Sequence, residues 1–446
     1  MVTRDKQSMN PFATLRFFED FLWTLFAAVI LTFPAFVYAQ EFEATETPIE
    51  TSRLVDNELM SGPHYRLEEQ AYIKGHMNHY AMQSDFGSFS AESDFGLRTL
   101  IREVAAIAEL QKMSKTKAFS EAMANTVKVP VEVAANVVTN PVETAKKVPA
   151  GANRLFKRTA RTVSDTAEAL QNMSSQEKSS SEGSSGDTTT KAVEAGKNYA
   201  QDQIGLNNAI RKLSKDLKVD PYSPNPVLQK ELRSVAWAIT AGSFATSQLV
   251  SMPSEIGDIG QLSSLVWDAD PLDLRLHNEE LLAEMGADEA LIKAFYANQF
   301  FTTTSRTLLV GSLAALTDVS GRTTLVENAS KSESGQEAEL YTQLARLLVA
   351  YGKSRSPVIQ LFSSSNSGLP LALTESGSMA LFVPVDYLLW TQQVSEAAIR
   401  ITEEMNQAAS HQIREVWVLG QVSSKAQTGL TSAGFKVFDR SDERLQ

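Results

Sequence analysis

Apolar positions change their spacing several times along this chain, and each spacing predicts a different element. In the stretch His76–Ser93, Tyr80, Met82, Phe89 and Ala91 alternate with polar residues on either side of Asp85-Phe86-Gly87. Alternation broken by a Gly-containing turn predicts a β-hairpin within 65–92. From 97 to 117 the period lengthens to that of a helix: Leu97, Leu100, Ile101, Val104, Ala108 and Leu110 share one face. A hairpin this small needs a packing partner, so 65–127 reads as a small α+β unit. Pro130-Val131-Glu132 recurs as Pro141-Val142-Glu143, which predicts two short proline-initiated helices. A third follows from Ala152, with Phe156, Ala160, Val163, Ala167 and Leu170 on one face.

Residues 172–190, NMSSQEKSSSEGSSGDTTT, hold no large apolar residue besides Met173 and read as a Ser-rich disordered linker. Helical periodicity then dominates to about 355. Asp220-Pro221-Tyr222-Ser223-Pro224-Asn225-Pro226 reads as a rigid turn ahead of a helix holding Leu228, Leu232, Val235, Ala236, Ile239 and Phe244. Asp270-Pro271 supplies an N-cap and first-turn proline, and Gly286 a stop, for the next helix. Further helices are expected near 288–299, 304–317 and 336–352.

The last ninety residues read as short apolar runs. Leu371–Leu373 and Met379–Val383 form a hairpin across Glu375–Ser378, and a helix is expected over 387–411. Val416–Leu419, a helix over 423–432 and Phe435–Phe438 make a βαβ unit with a right-handed crossover. The fold class that follows is α+β, mostly helical, and 191–446 forms a C-terminal domain of helices with one mixed sheet of about five strands.

The N-terminus points to a compartment. Phe21–Gln40 is a run of twenty residues without a charge; Pro34 breaks it, and it ends in Val37-Tyr38-Ala39. An apolar stretch before a small-residue site is the pattern of an export signal, so 1–39 reads as a signal peptide cleaved between Ala39 and Gln40. The run is also long enough to serve as an uncleaved anchor, and the charges before it balance (Arg4, Lys6 and Arg16 against Asp5, Glu19 and Asp20). Residues 40–64 are acidic and read as a mobile leader. The protein is therefore expected to be periplasmic or extracellular, peripheral to a membrane or N-terminally anchored.

Composition narrows the chemistry. The formal net charge is −12, which argues against nucleic acid as a partner. With no cysteine, disulfides, thiolate metal sites and cysteine nucleophiles are excluded. No cofactor fingerprint, nucleophile elbow or zinc motif occurs, and Ser-x-x-Lys pairs such as Ser175 with Lys178 fall in polar, low-complexity sequence; no catalytic residue is assigned. His76 and His79 would point to opposite faces of a strand. Asp268, Asp270 and Asp273 near His277 lack the glycine and closing Glu of a calcium loop, so no metal site is expected.

The sharpest functional signal is the basic segment 128–171. Lys146, Lys147, Arg154, Lys157, Arg158 and Arg161 stand against one Glu between 143 and 163. With Phe156 on the apolar face, this pattern suits an anionic membrane surface or a partner protein; each cation contributes roughly 1 kcal/mol near such a surface. The leading expectation is an exported, envelope-associated protein that binds a membrane surface or another envelope protein. The alternative is a hydrolase-like or other enzyme with its site at the C-terminal sheet edge, around Gly420–Ser424 with Asp386, Tyr387 and Trp390.

Overall fold

Strand alternation near the N-terminus builds more than a hairpin. The computed structural model describes residues 42–126, 205–240, 264–363, 370–408 and 413–445. The apolar run 21–40, the basic segment 128–171 and the linker 172–190 lie outside these. β1 (Glu46–Glu50), β2 (Ser61–Gly62), β3 (Tyr65–Leu67), β4 (Gln70–Lys74), β5 (Met77–Ser84) and β6 (Gly87–Ala91) form an antiparallel sheet in the order β1-β4-β5-β3-β2, with β6 also on β5. The expected hairpin is β5–β6, in which Tyr80 faces Ala91 and Met82 faces Phe89.

The reading of 40–64 as a mobile leader is corrected. Its residues 46–50 are β1, paired with β4 from Glu46–Lys74 to Glu50–Gln70. The burial of Thr51 and Leu54 fixes the turn that follows. The carboxylates of Glu46 and Glu50 lie on the exposed face of an edge strand, where charge also discourages edge-to-edge pairing.

α1 (Asp94–Ser114) is started by Ser93, whose hydroxyl accepts from Gly96 N. Its first half packs Leu97, Leu100, Ile101 and Val104 on this sheet. Its second half, with Ala106, Ile107, Leu110 and Met113, packs instead on three further helices, the last two from beyond the linker. These are α2 (Lys117–Thr126), α3 (205–216) and α4 (Pro226–Thr240). The N-terminal unit therefore does not end at 127 as a separate body: α1 is shared between two cores.

A second helical layer comprises α5 (Ser264–Asp268), α6 (Pro271–Glu284), α7 (Glu289–Ala297), α8 (Thr303–Ala315), α9 (Arg322–Ala329) and α10 (Gly335–Ser354). Asp270 caps α6 through Leu272 N and Asp273 N, and Gly286 ends it at φ +93°, the left-handed geometry glycine adopts without strain.

The closing sheet contains β7 (Val358–Ser363), β8 (Pro370–Thr374) and β9 (Met379–Val383), joined by two strands from later in the chain. Between and after them come β10 (Tyr387–Leu388), α11 (Gln392–Ala408), β11 (Arg414–Val418), β12 (Gln421–Val422), α12 (Ser424–Ser432), β13 (Lys436–Phe438) and α13 (Ser441–Arg444). The sheet order is β13-β11-β9-β8-β7; β13, β11 and β9 are parallel and β8 is antiparallel to both neighbours. Ala372, Ala380, Phe382 and Trp417 point to the core shared with α6–α10. Leu371, Met379, Leu381, Val416 and Val418 point to α11 and α12. Both faces are covered, which is why these strands read as unbroken apolar runs. The expected helix over 387–411 starts later, at Gln392, because Tyr387–Leu388 pairs with Gln421–Val422.

Candidate functional site

Four elements meet around a partly open cavity of about 480 Å3, within the range of small-molecule pockets, roughly 300–1,000 Å3. The start of α1 contributes Phe95, Thr99 and Glu103; the turn after α3 contributes Asp220 and Ser223; the start of α8 contributes Thr304 and Leu308; and α10 contributes Ala338, Glu339, Gln343 and Arg346. On α10, spacings of four and three put Glu339, Gln343 and Arg346 on one face.

Three carboxyl groups line this space. Glu103, 5% exposed, accepts from Ser223 Oγ at 2.5 Å and from Asn225 Nδ2 at 2.8 Å. Asp220 Oδ1 accepts from Tyr222 N at 2.8 Å and from Thr304 Oγ1 at 2.5 Å. Glu339 Oε1 accepts from Gln343 Nε2 at 2.6 Å. Gln343 in turn accepts from Arg346 at 3.2 Å, and the Arg346 guanidinium lies 5.9 Å from the Phe95 ring centroid.

Burial pushes all three carboxyls above their ordinary range, because the charged form is poorly solvated there. For Glu103 and Asp220 the hydrogen bonds act the other way. Glu339 is pushed up to about 7 by burial; the Gln343 bond and the Arg346 charge pull it down, and the Asp220 charge raises it. A carboxyl poised there exchanges its proton near neutrality, as donor or acceptor. Thr99 lines the cavity, and its Oγ1 is buried away from that space without a hydrogen-bond partner among the described residues.

The site expected at the C-terminal sheet edge is brought together and then filled by the chain itself. Asp386 Oδ2 accepts from Asn78 N at 3.0 Å and Asp94 N at 3.2 Å. Tyr387 N donates to the His76 carbonyl, and Leu389 N to His76 Nδ1 at 3.2 Å. Ser423 caps α12 through Ala426 N. Its hydroxyl and Trp390 N both donate to Glu43 Oε2, at 2.5 and 2.6 Å. A carboxylate therefore does sit at this strand-to-helix junction, and it is Glu43.

His76 stands in the β4–β5 turn at φ +70° rather than on a strand with His79. Asp268 pairs with Lys215 at 2.6 Å. Among the described residues no group of three or more His, Asp or Glu side chains is placed to hold a metal ion. No described helix is long and apolar enough to cross a membrane. Lys146, Lys147, Arg154, Phe156, Lys157, Arg158 and Arg161, and the junction Ala39–Gln40, lie outside the described residues.

The sequence analysis singled out none of the three cavity carboxylates. For Glu103 a signal existed: it is flanked by Ile101, Val104, Ala106 and Ile107, so the helix is apolar on more than one face at that level. In comparisons with known proteins, no family, no curated protein and no solved structure matches the chain.

Proposed function

We propose that the protein acts by binding, and that the interhelical cavity takes up a small molecule with an apolar body and a polar head. The observation that carries this reading is the pocket of about 480 Å3 between α1, α8 and α10, with Phe95, Phe300 and the Glu339 carboxyl on its walls. Its lining contains no His, Lys or Tyr, and both Glu103 oxygens are held by protein donors. The Ser223 and Thr304 hydroxyls are likewise taken up by Glu103 and Asp220 in a fixed hydrogen-bonded wall, an arrangement that suits recognition.

The wider proposal keeps the exported, envelope-associated setting: a protein released after Ala39 whose basic segment 128–171 touches a membrane surface or another envelope protein. It rests on the uncharged run 21–40 and on the local excess of cations.

One preparation tests both parts. The full chain is expressed in a bacterium with two membranes, recovered from its cell fraction with a carbonate wash, weighed intact, and titrated with the neutral fluorescent probe N-phenyl-1-naphthylamine. The expected product begins at Gln40, is released by carbonate and binds one probe saturably. Ala338→Leu, which fills the cavity, weakens binding at least tenfold; Thr99→Leu, which also removes an unpaired hydroxyl, does so with little loss of stability. A product retaining Met1 overturns cleavage, and binding unaffected by both variants overturns the cavity reading.

The C-terminal sheet edge was the expected place for an alternative, enzymatic site. The proton-exchanging Glu339 moves that reading to the cavity, with Glu339 as general acid or base.

A further inference from the structure

The charges on the cavity wall are unequal, and they come from separate parts of the chain. Glu103 on α1, Asp220 in the turn after α3 and Glu339 on α10 supply three carboxyls; Arg346 supplies the single cation among the lining residues. Asp220 acts on both of the others, raising each carboxyl's hold on its proton. Like charges facing one cavity are relieved by a proton or by a cation.

The uncharged part of the lining fits the same visitor. Phe95 and Phe300 line the cavity, and Phe300 keeps 37% of its surface exposed. Aromatic faces attract ammonium groups. Glu339 accepts from Gln343 through Oε1 alone, and its Oε2 takes no hydrogen bond from the described residues.

An anion has the weaker case. Three helices begin at the cavity, and helix N-termini favour negative charge. Each is already capped by its own chain: Ser93 accepts from Gly96 N, Thr302 from Ser305 N and Ser334 from Glu337 N. The lone guanidinium is engaged with Gln343 and lies beside Glu339.

We propose that the ligand of this cavity is an organic cation, a protonated amine carried on an apolar body, held by Glu339 and Asp220 with its apolar part against Phe95 and Phe300. This inference rests on the cavity reading above and adds the charge of the ligand. The groups facing Glu339 are Asp220, Arg346 and Gln343. An arriving ammonium favours the ionised carboxylate, so binding at neutral pH releases part of a proton from Glu339.

The test is calorimetric titration of the full chain at pH 7 with three probes of one body: 1-naphthylmethylamine, 1-naphthalenemethanol and 1-naphthylacetate. The amine is expected to bind at least tenfold tighter than the alcohol, and the acetate more weakly than the alcohol. Amine binding should release a fraction of a proton, read as a dependence of the measured heat on the buffer's ionisation enthalpy. Glu339→Gln is expected to cut the amine-to-alcohol preference at least fivefold and to abolish the proton release. Asp220→Asn provides a second reduction in preference should E339Q fail to fold. Equal binding of amine and alcohol, or tightest binding of the acetate, overturns the cation inference while leaving the cavity as a binding site. Saturable binding of none of the three overturns both.

Discussion

At Gly420 an added Cβ would lie 2.0 Å from the Asp386 carbonyl oxygen. The two segments are laced together there: Gly420 N donates to Val385 O at 2.9 Å and Gln421 N to Asp386 O at 2.8 Å. Neither backbone can withdraw without breaking those bonds and the Asp386 contacts to Asn78 and Asp94. Gly420→Ala is expected to destabilise the protein by about 3 kcal/mol, as overpacking against a rigid neighbour does. The check is the urea midpoint, and an unchanged midpoint would refute the close approach. Single residues of this kind were only partly legible in the sequence. Gly420 was noticed as a strand-to-helix glycine, but its contact lies with a residue more than thirty positions away. Asp220 was read as part of a rigid turn, and its bond to Thr304 is a long-range one. Glu339, Gln343 and Arg346 have the spacing of a solvated charged face; which face of α10 meets solvent is decided by the packing of α1 and α8.

The junction at α12 belongs to the scale of elements. Ser423 performs two tasks with one hydroxyl, capping Ala426 N at 3.0 Å and donating to Glu43 Oε2. Ser423→Ala should cost about 1–2 kcal/mol, the usual worth of an N-cap plus the lost partner. Glu43→Ala removes the acceptor shared with Trp390 N. The double variant is expected to be less unstable than the sum of the singles by about 1 kcal/mol, since each single already breaks the shared bond. Strict additivity in chemical denaturation would mean that the bridge carries no energy. Elements whose burial follows a simple period were legible. β5–β6, the first half of α1, α6 with its Asp270 cap, and the β11–α12–β13 unit all stand where the pattern put them. β1 was lost because its glutamates dominated the composition, although Thr47 and Ile49 alternate with them. α9 was lost because Arg322-Thr323-Thr324 starts it without a side-chain cap. β10 was absorbed into the helix that follows because a two-residue strand has no period of its own.

Over the whole molecule, the buried carboxyls make stability a function of pH. Asp94, Glu103, Asp220 and Glu339 are all raised, by burial first. Such a group holds its proton more tightly folded than unfolded, so its contribution is full below the unfolded value and is lost as pH rises through the folded one. For Glu339 the window runs from about 4.5 to about 7, and the loss across it is on the order of 3 kcal/mol. The net charge of −12 at neutral pH adds self-repulsion in the same direction. His76 opposes it: burial lowers its proton affinity, so the folded state loses ground when that imidazole is forced to protonate at low pH. The balance favours the carboxyls, which are four against one. Denaturant unfolding should therefore show a more stable protein at pH 5.5 than at pH 8. In Glu339→Gln the difference should shrink by about 2 kcal/mol, the part of the loss that falls between pH 5.5 and 8, because Gln keeps an acceptor for Gln343 but has no proton to lose. His76 and the surface charges are the same in both proteins, so the comparison reports Glu339 together with its charge partner Asp220. If the variant keeps the full pH dependence, Glu339 is ionised in the folded protein across this range, and its place on the cavity wall is more open to water than its packing on α10 implies.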